Sequence, residues 1–351
     1  MLPASLNVLT LRRAVLLLAT LPLAACSTIV MKPFGDIAKQ QSQLIITAVV
    51  LMLMIVVPVI AMTLLFAWRY RSANKAATYT PQWDHSTRLE LLIWGAPLLI
   101  IIALGAVTWI STHKLDPYRP LERIDANRPI AKGVKPFVVE VVALDWKWLF
   151  VYPELGIATV NELAAPVDRP IEFKITASTV MNSFYIPALA GQIYAMPGMQ
   201  TKLHAVINTA GVYDGFSANY SGRGFSHMRF KFLGMAPAEF DRWVELNKTT
   251  GVALGRSDYL KLEQPSEKDP VRRYASVDAT LYEAILNRCV DSSKMCMGQM
   301  MAIDAAGGLG KGGIDGLSTK AWRDTKRTYV AALCTPNNLS GGTLLAERAQ
   351  P

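Results

Sequence analysis

Residues 211–228 read GVYDGFSANYSGRGFSHM, a stretch in which glycines separate short apolar and aromatic runs. It lies within a longer region, residues 136–235, that has the character of β structure. In residues 171–175 apolar and polar side chains alternate, as on a strand with one buried face. Further strands are indicated at residues 137–142, 146–152, 201–207 and 228–232. Short strands separated by turn residues predict an antiparallel β-sandwich or barrel, and no strand–helix alternation suggests a parallel sheet.

The pattern becomes helical after Pro237. Helix-compatible segments occupy residues 238–244, 257–263 and 277–288, and residues 305–316 are rich in glycine. The end of the chain lacks the density of apolar residues that another core would need. We therefore expect a β domain at 111–236, an aromatic-rich helical extension at 237–290 and a flexible tail at 291–351.

The quoted stretch resembles the copper loop of subunit II of haem–copper oxidases. In that family Gly-x-Tyr-x-Gly precedes Cys-x-Glu-x-Cys-Gly-x-x-His-x-x-Met, and an earlier loop supplies another histidine. The residues that match are Gly211, Tyr213, Gly215, Gly222 and Met228. The other positions hold Ser217, Asn219, Ser221 and Phe225, and Asn182 in MNSF (181–184) stands at the early histidine. The resemblance implies two membrane helices followed by a cupredoxin-like domain.

The substitutions remove the chemistry of the copper loop. A binuclear copper centre needs soft thiolates and imidazoles, whereas a serine hydroxyl is neither soft nor ionised at neutral pH. Met228 alone cannot hold copper. His227 precedes Met228 directly, so in an extended segment it points to the other face, towards solvent. We predict that this chain binds no metal and no other cofactor of its own.

Loss of the copper ligands is typical of the quinol-oxidising branch, and other segments resemble that branch as well. They are VALDWKW (142–148), QIYAMPGMQ (192–200) and residues 240–277. The resemblance implies subunit II of a cytochrome o-type ubiquinol oxidase, which oxidises ubiquinol, reduces oxygen to water and pumps protons. It also implies haem b, haem o and copper in subunit I, with subunits III and IV as further partners. Without copper, Trp146 and Trp148 are predicted to be packing residues.

Two apolar runs, residues 44–67 and 89–110, are long enough to cross a bilayer. The loop between them, residues 68–88, carries Arg69, Arg71, Lys75 and Arg88. Positive charge of this kind is retained in the cytoplasm. Residues 26–43 and everything after residue 111 are therefore expected in the periplasm.

Glu90 stands at the start of the second run, where a charge is costly unless it faces water or protein. One interpretation is a helix-end carboxylate stabilised by the helix dipole and by nearby Arg88. The family resemblance implies another, because Glu90 matches a carboxylate at the cytoplasmic mouth of a proton channel into subunit I.

The N-terminus has the features of a bacterial lipoprotein signal. Arg12 and Arg13 precede a short apolar run that ends in LAAC (23–26). We expect residues 1–25 to be removed, leaving Cys26 as a lipid-bearing first residue of an inner-membrane lipoprotein.

The formal net charge is +9, but lysine and arginine are scattered and form no basic helix, so nucleic acid is not an expected partner. The four histidines, at 85, 113, 204 and 227, form no haem-binding pair. Two alternatives remain open: a copper-bearing cytochrome c oxidase subunit, or a stand-alone copper-handling lipoprotein that uses methionines 295, 297, 300 and 301. Cys289, Cys296 and Cys334 allow a disulfide whose pairing stays undecided.

Overall fold

The computed structural model describes residues 28–78, 80–131 and 133–305. The predicted signal peptide and the predicted lipidation site, Cys26, lie outside the described residues, as do Cys334 and the glycine-rich part of the tail after residue 305.

Two long helices make a membrane-anchored hairpin, α1 (Asp36–Arg69) and α2 (Thr87–Lys114). Both are apolar enough to span a bilayer, and their apolar windows are wholly unburied within the chain. At 1.5 Å per residue α1 is roughly 50 Å long, well beyond the ~30 Å hydrocarbon core. The helix therefore continues past the predicted span 44–67, and its first two turns contain its buried residues, Asp36, Ala38 and Ser42.

The exported half is a sandwich of two sheets. The strands are β1 (Arg123–Asp125), β2 (Arg128–Pro129), β3 (Phe137–Leu144), β4 (Lys147–Tyr152), β5 (Ile157–Val160), β6 (Glu162–Pro166), β7 (Ile171–Ala177), β8 (Asn182–Tyr185), β9 (Ile193–Ala195), β10 (Thr201–Ala205), β11 (Gly211–Ser217), β12 (Arg229–Met235), β13 (Val252–Leu254) and β14 (Arg272–Val277). The seven-stranded sheet has the order β10-β7-β3-β4-β5-β14-β13, the five-stranded sheet has the order β6-β12-β11-β8-β9, and β1 and β2 form a separate ribbon.

The sheets are mixed, which differs from the antiparallel sandwich that the sequence predicts. Three pairs are parallel, namely β3 with β7, β12 with β6 and β13 with β14. The chain leaves β3 through β4, β5 and β6 and then returns beside β3 as β7. Parallel neighbours need a crossover of this kind, because a tight hairpin can join only antiparallel strands.

The main core lies between the two sheets. Its centre is a group of aromatic rings in which Phe184 and Phe230 stack at 5.5 Å and Trp148 meets Phe184 edge-on at 5.4 Å. On β3, Val139 and Val141 belong to this core, while Val142 and Leu144 belong to a second core on the outer face of the sheet. Both faces of β3 are therefore buried, which explains its nearly continuous apolar sequence.

The C-terminal extension covers the outer face. It contains α3 (Pro237–Thr250), α4 (Arg256–Glu263), α5 (Leu281–Leu286) and α6 (Met297–Ala305). The predicted helical extension also contains two strands, because β14 pairs with β5 and carries β13 at the sheet edge. The tail predicted to be flexible from residue 291 begins instead with ordered structure, since the Cys289–Cys296 disulfide and α6 lie there. The open question of disulfide pairing is thereby answered for these two cysteines.

Between the sheet and α5, the carboxyl group of Glu140 is partly buried. Burial raises its pKa to about 7, Lys174 opposes this, and Glu283 adds to it. A carboxyl group whose pKa is raised by folding stabilises the fold below its unfolded pKa, near 4.5, and this contribution is lost as the pH rises through about 7.

We expect Glu140→Gln to remove this pH dependence. Between about pH 4.5 and about pH 8 the wild-type chain should lose about 1–2 kcal/mol of unfolding free energy that the variant keeps. Urea unfolding of the detergent-solubilised chain, followed by tryptophan emission, measures the difference. Equal losses for both proteins over this interval would contradict the assignment to Glu140.

The residues just before α1 are fastened to the β domain; we call residues 33–36 the N-terminal strap. The backbone N–H groups of Phe34 and Gly35 donate to Ala188 O at 3.0 and 2.9 Å, and Asn208 N donates to Phe34 O at 3.0 Å. Asp36 is buried and accepts a hydrogen bond from Arg123 Nε at 2.9 Å. The start of the first membrane helix is thus part of the exported domain's own hydrogen-bond network.

Candidate functional site

The loop that resembles a copper site lies at one end of the sandwich. Strand β11 ends at Ser217, a short 3-10 helix (Phe225–His227) follows, and β12 begins at Arg229. Strand β8 runs beside β11, with Ser217 opposite Phe184 in the register. This pairing brings together two of the predicted positions, because Ser217 Oγ lies 3.3 Å from Asn182 Oδ1. Both side chains are buried.

Hydrogen bonds tie this loop internally. The Ser217 hydroxyl has a second possible acceptor in Asn219 O, which lies 3.2 Å from Ser217 Oγ. Asn219 Nδ2 donates to Met181 O at 3.2 Å, so the loop after β11 is fixed to the loop before β8. Ser217 N donates to Met228 O at 3.1 Å, and the Met228 side chain is part of the main core. Amides and hydroxyls therefore hold the two loops in place where the family pattern has metal ligands.

Trp146 closes the other side of the loop. Its backbone has a positive φ of 64°, and its Nε1 donates to Ser221 O at 3.1 Å. The indole lies against Gly224, where a β-carbon would stand only 2.4 Å from a ring atom, so this position requires glycine. Phe225 is half-buried and meets Tyr220 edge-on at 5.6 Å. These contacts agree with the packing role predicted for Trp146.

The residues present do not fit a binuclear copper centre. The four family ligand positions, 182, 217, 221 and 225, carry an amide, two hydroxyls and a phenyl ring. None is a soft donor. His227 is exposed to solvent, as predicted. Within residues 28–78, 80–131 and 133–305, no group of three or more histidine, cysteine, aspartate or glutamate side chains is arranged to hold a metal ion.

A buried polar network beneath this loop was not predicted. Lys147, which lies between Trp146 and Trp148, donates from Nζ to Gln264 O and to Ser266 Oγ, each at 2.7 Å. Asp269 Oδ2 lies 3.8 Å from the same nitrogen, and both side chains are almost inaccessible. Burial lowers the pKa of Lys147, and Asp269 opposes that shift.

The network joins the extension to the strand that carries Trp146. Arg272 donates to Asp269 Oδ1 at 2.6 Å, and Ser266 Oγ lies 2.6 Å from Asp269 Oδ2. A lysine at the start of an otherwise apolar strand, KWLFVY (147–152), was the only sequence signal for it. Its partners lie more than a hundred positions away along the chain, and no local pattern links them.

Glu90 occupies the first turn of α2, as predicted. Its Oε1 lies 2.8 Å from His85 Nδ1, and both side chains are more than half exposed. His85 Nε2 in turn lies 3.1 Å from Thr87 Oγ1. The structure therefore pairs the Glu90 carboxylate with His85, which precedes the helix, and not with Arg88.

The loop around Ser217 and the group around Glu90 are separate sites. Strand β11 belongs to the exported sandwich, whereas Glu90 lies at the far end of α2. The length of α2 alone, roughly 40 Å, stands between Glu90 and the exported end of the hairpin. The structure therefore brings Asn182, Ser217, Asn219, Ser221 and Phe225 into one region and leaves Glu90 at the far end of α2.

Comparisons with known proteins match both the sandwich and the extension. Residues 138–232 match the family described as cytochrome c oxidase subunit II, periplasmic domain, and residues 248–293 match the COX aromatic rich motif. Cytochrome bo(3) ubiquinol oxidase subunit 2 of Pseudomonas putida is 49% identical over 271 residues, which cover 77% of this chain and 83% of that protein. Ubiquinol oxidase subunit 2 of Acetobacter aceti is 50% identical over 268 residues, 76% of this chain and 85% of that protein.

Among solved structures, the chain is similar to the periplasmic domain of subunit II of cytochrome oxidase of Bradyrhizobium japonicum. That match has 23% sequence identity and a TM-score of 0.32, and it covers 34% of this chain and 96% of the other.

Proposed function

The chain belongs to the family of ubiquinol oxidase subunit II, and on that premise we propose that it serves its oxidase without a redox centre of its own. The predicted fold class is confirmed: two apolar helices, a cupredoxin-like exported domain and a C-terminal extension. The relatives do not favour the alternatives of a copper-bearing cytochrome c oxidase subunit or a stand-alone copper-handling lipoprotein. The proposal is carried by the copper loop, where hydrogen-bonded Ser217 and Asn182 replace ligands.

The redox chemistry then belongs to a partner. We place haem b, haem o and copper in subunit I, with subunits III and IV completing the complex. The two membrane helices support a contact with such partners, because their apolar side chains are exposed along almost their whole length. Lipid or other membrane helices must cover that surface. In this arrangement the chain supports assembly while ubiquinol is oxidised and oxygen is reduced to water elsewhere in the complex.

The copper content of the purified full chain tests this division of labour. We expect no binuclear copper and no purple near-infrared absorption in the wild-type protein. The fourfold variant Asn182→His, Ser217→Cys, Ser221→Cys and Phe225→His should gain about two copper ions and that absorption, because it restores two thiolates and two imidazoles. The shared glycines and Met228 are unchanged in this variant. Two tightly bound copper ions in the wild-type chain would contradict the proposal.

We further propose that Glu90 gathers protons from the cytoplasm and delivers them to a channel in subunit I. Two observations support this role. The carboxylate is exposed rather than locked in a buried ion pair, and it lies 2.8 Å from the imidazole of His85, which is exposed as well. A proton-collecting group must be accessible to water, and both members of this pair are.

For the N-terminus we propose lipidation at Cys26 and an inner-membrane lipoprotein whose exported domain faces the periplasm. Mass spectrometry of the N-terminal peptide is expected to find a mature chain that begins at a lipid-modified Cys26. The Cys26→Ala variant should remain in the membrane, because α1 and α2 anchor it independently. An unmodified Cys26, or a membrane-bound chain that still begins at Met1, would contradict lipidation.

A further inference from the structure

Four methionines lie within residues 295–301, where α6 begins, and the oxidase role described above uses none of them. Met297 and Met300 are three positions apart on α6, so they lie on one side of the helix. Together with Met295 they line a cavity of about 560 Å³, whereas Met301 is not among its lining residues. Three methionines therefore contribute to the lining of one cavity.

The segment that carries these side chains is constrained. The Cys289–Cys296 disulfide closes the loop that leads into α6, and Met297 N donates to Asn287 O at 2.8 Å. Met297 packs directly on Gly198, where a β-carbon would stand 2.5 Å from the methionine methyl group. Because Cys296 is oxidised, the sulfur donors at the cavity in the described part of the chain are thioethers rather than thiols.

The charges around the cavity are balanced. Glu263 and Asp291 contribute two carboxyl groups to the lining, and Arg288 and Lys294 contribute two cationic groups. The site therefore has no excess of positive charge that would exclude a cation. It also has too few carboxylates to make an oxygen cage for a hard divalent ion. Uncharged, polarisable thioethers instead suit a soft monovalent cation such as Cu(I).

We propose that Met295, Met297 and Met300 form a binding site for Cu(I) on the exported extension of this subunit. The site is separate from the loop around Ser217 and does not depend on the proposed role of Glu90. A thioether has no proton to lose, so protons do not compete with the metal as they do at thiolate or imidazole sites. Binding should therefore survive at about pH 5, where protons compete with a metal for thiolate and imidazole ligands.

Silver ion, a redox-stable probe with the same soft character, tests the site in the purified oxidase complex. Equilibrium dialysis followed by metal analysis should find that the triple variant Met295→Leu, Met297→Leu and Met300→Leu binds about one silver ion fewer per complex than wild type, at about pH 8 and at about pH 5. Leucine keeps the apolar volume, so the extension should remain folded. Met301→Leu changes an exposed methionine of the same helix outside the cavity and should retain full binding.

A single substitution guards against a folding artefact. Met300 is 45% exposed, so Met300→Leu should leave haem content and quinol turnover unchanged while weakening silver binding by about tenfold or more. Equal silver stoichiometry in wild type and the triple variant would overturn the proposal. So would loss of the silver ion in Met301→Leu alone, or binding that falls away at about pH 5.

Discussion

Replacing Glu90 by alanine is expected to lower quinol oxidase turnover per haem several-fold without changing the haem content of the complex. If the carboxylate collects protons at the mouth of a channel, its removal slows proton uptake. Oxygen reduction consumes protons, so its rate falls to the rate at which protons are delivered. Glu90→Asp keeps an ionisable oxygen donor on a shorter side chain and should retain more activity than alanine. The measurement is steady-state oxygen consumption with ubiquinol, normalised to haem.

A matched control is available on the same helical turn. Arg88 is exposed and lies close to Glu90 in the chain, so Arg88→Ala changes the local charge without removing a proton acceptor. Its turnover per haem should stay near that of wild type. If Glu90 is only a helix-end carboxylate, its interaction with the helix dipole is worth about 0.3–1 kcal/mol. Normal turnover per haem in Glu90→Ala would then support that interpretation and remove the proton-uptake role.

A larger effect on stability is expected from Asp269→Ala. The change leaves the buried Lys147 ammonium without the carboxylate partner that the described structure gives it, and it removes the acceptor of Arg272. An unpaired buried charge costs roughly 3–5 kcal/mol. Urea unfolding of the full chain in detergent should show a loss of this size, and the environment of Trp146 should change because Lys147 is its neighbour.

Two comparisons make the Asp269 result interpretable. Asp258→Ala removes an exposed carboxylate that lies 3.5 Å from Lys261 and should cost less than about 1 kcal/mol. The double variant Lys147→Met with Asp269→Ala removes both buried charges and should recover part of the stability lost in the single variant. A loss in Asp269→Ala no greater than that in Asp258→Ala would show that the buried pair is not important for stability.

The elements that local patterns specify were predicted well. The two apolar runs predicted the helical hairpin. Segments with alternating apolar and polar residues, such as 171–175, predicted the sandwich. The absence of copper ligands was read directly from residues 217 and 221. The short strands β8, of 4 residues, and β9, of 3 residues, were missed because so few positions cannot establish an alternating pattern. The parallel pairing of β3 with β7 was missed because it depends on a crossover rather than on sequence alternation.

The remaining errors concern contacts between distant parts of the chain. Strand β14 was taken for part of a helical region, because its partner β5 lies far earlier in the sequence. His85 was overlooked as the partner of Glu90 because it precedes the helix. The i,i+3 and i,i+4 spacing rules apply only to pairs of residues within a helix. The Lys147 network joins strand and extension across the domain. Composition and periodicity contain no information on such pairings.

The N-terminal strap has a consequence for the order of events during biogenesis. Phe34 and Gly35 leave the ribosome before either membrane helix, yet their acceptor, Ala188, follows both helices and half of the strands of the two sheets. Contacts so far apart in sequence form only after the loop-closure entropy of the intervening chain has been overcome. The first helix must therefore enter the bilayer with its outer end unpaired. The N-terminal strap can then dock only late, after the part of the exported domain that binds it has folded.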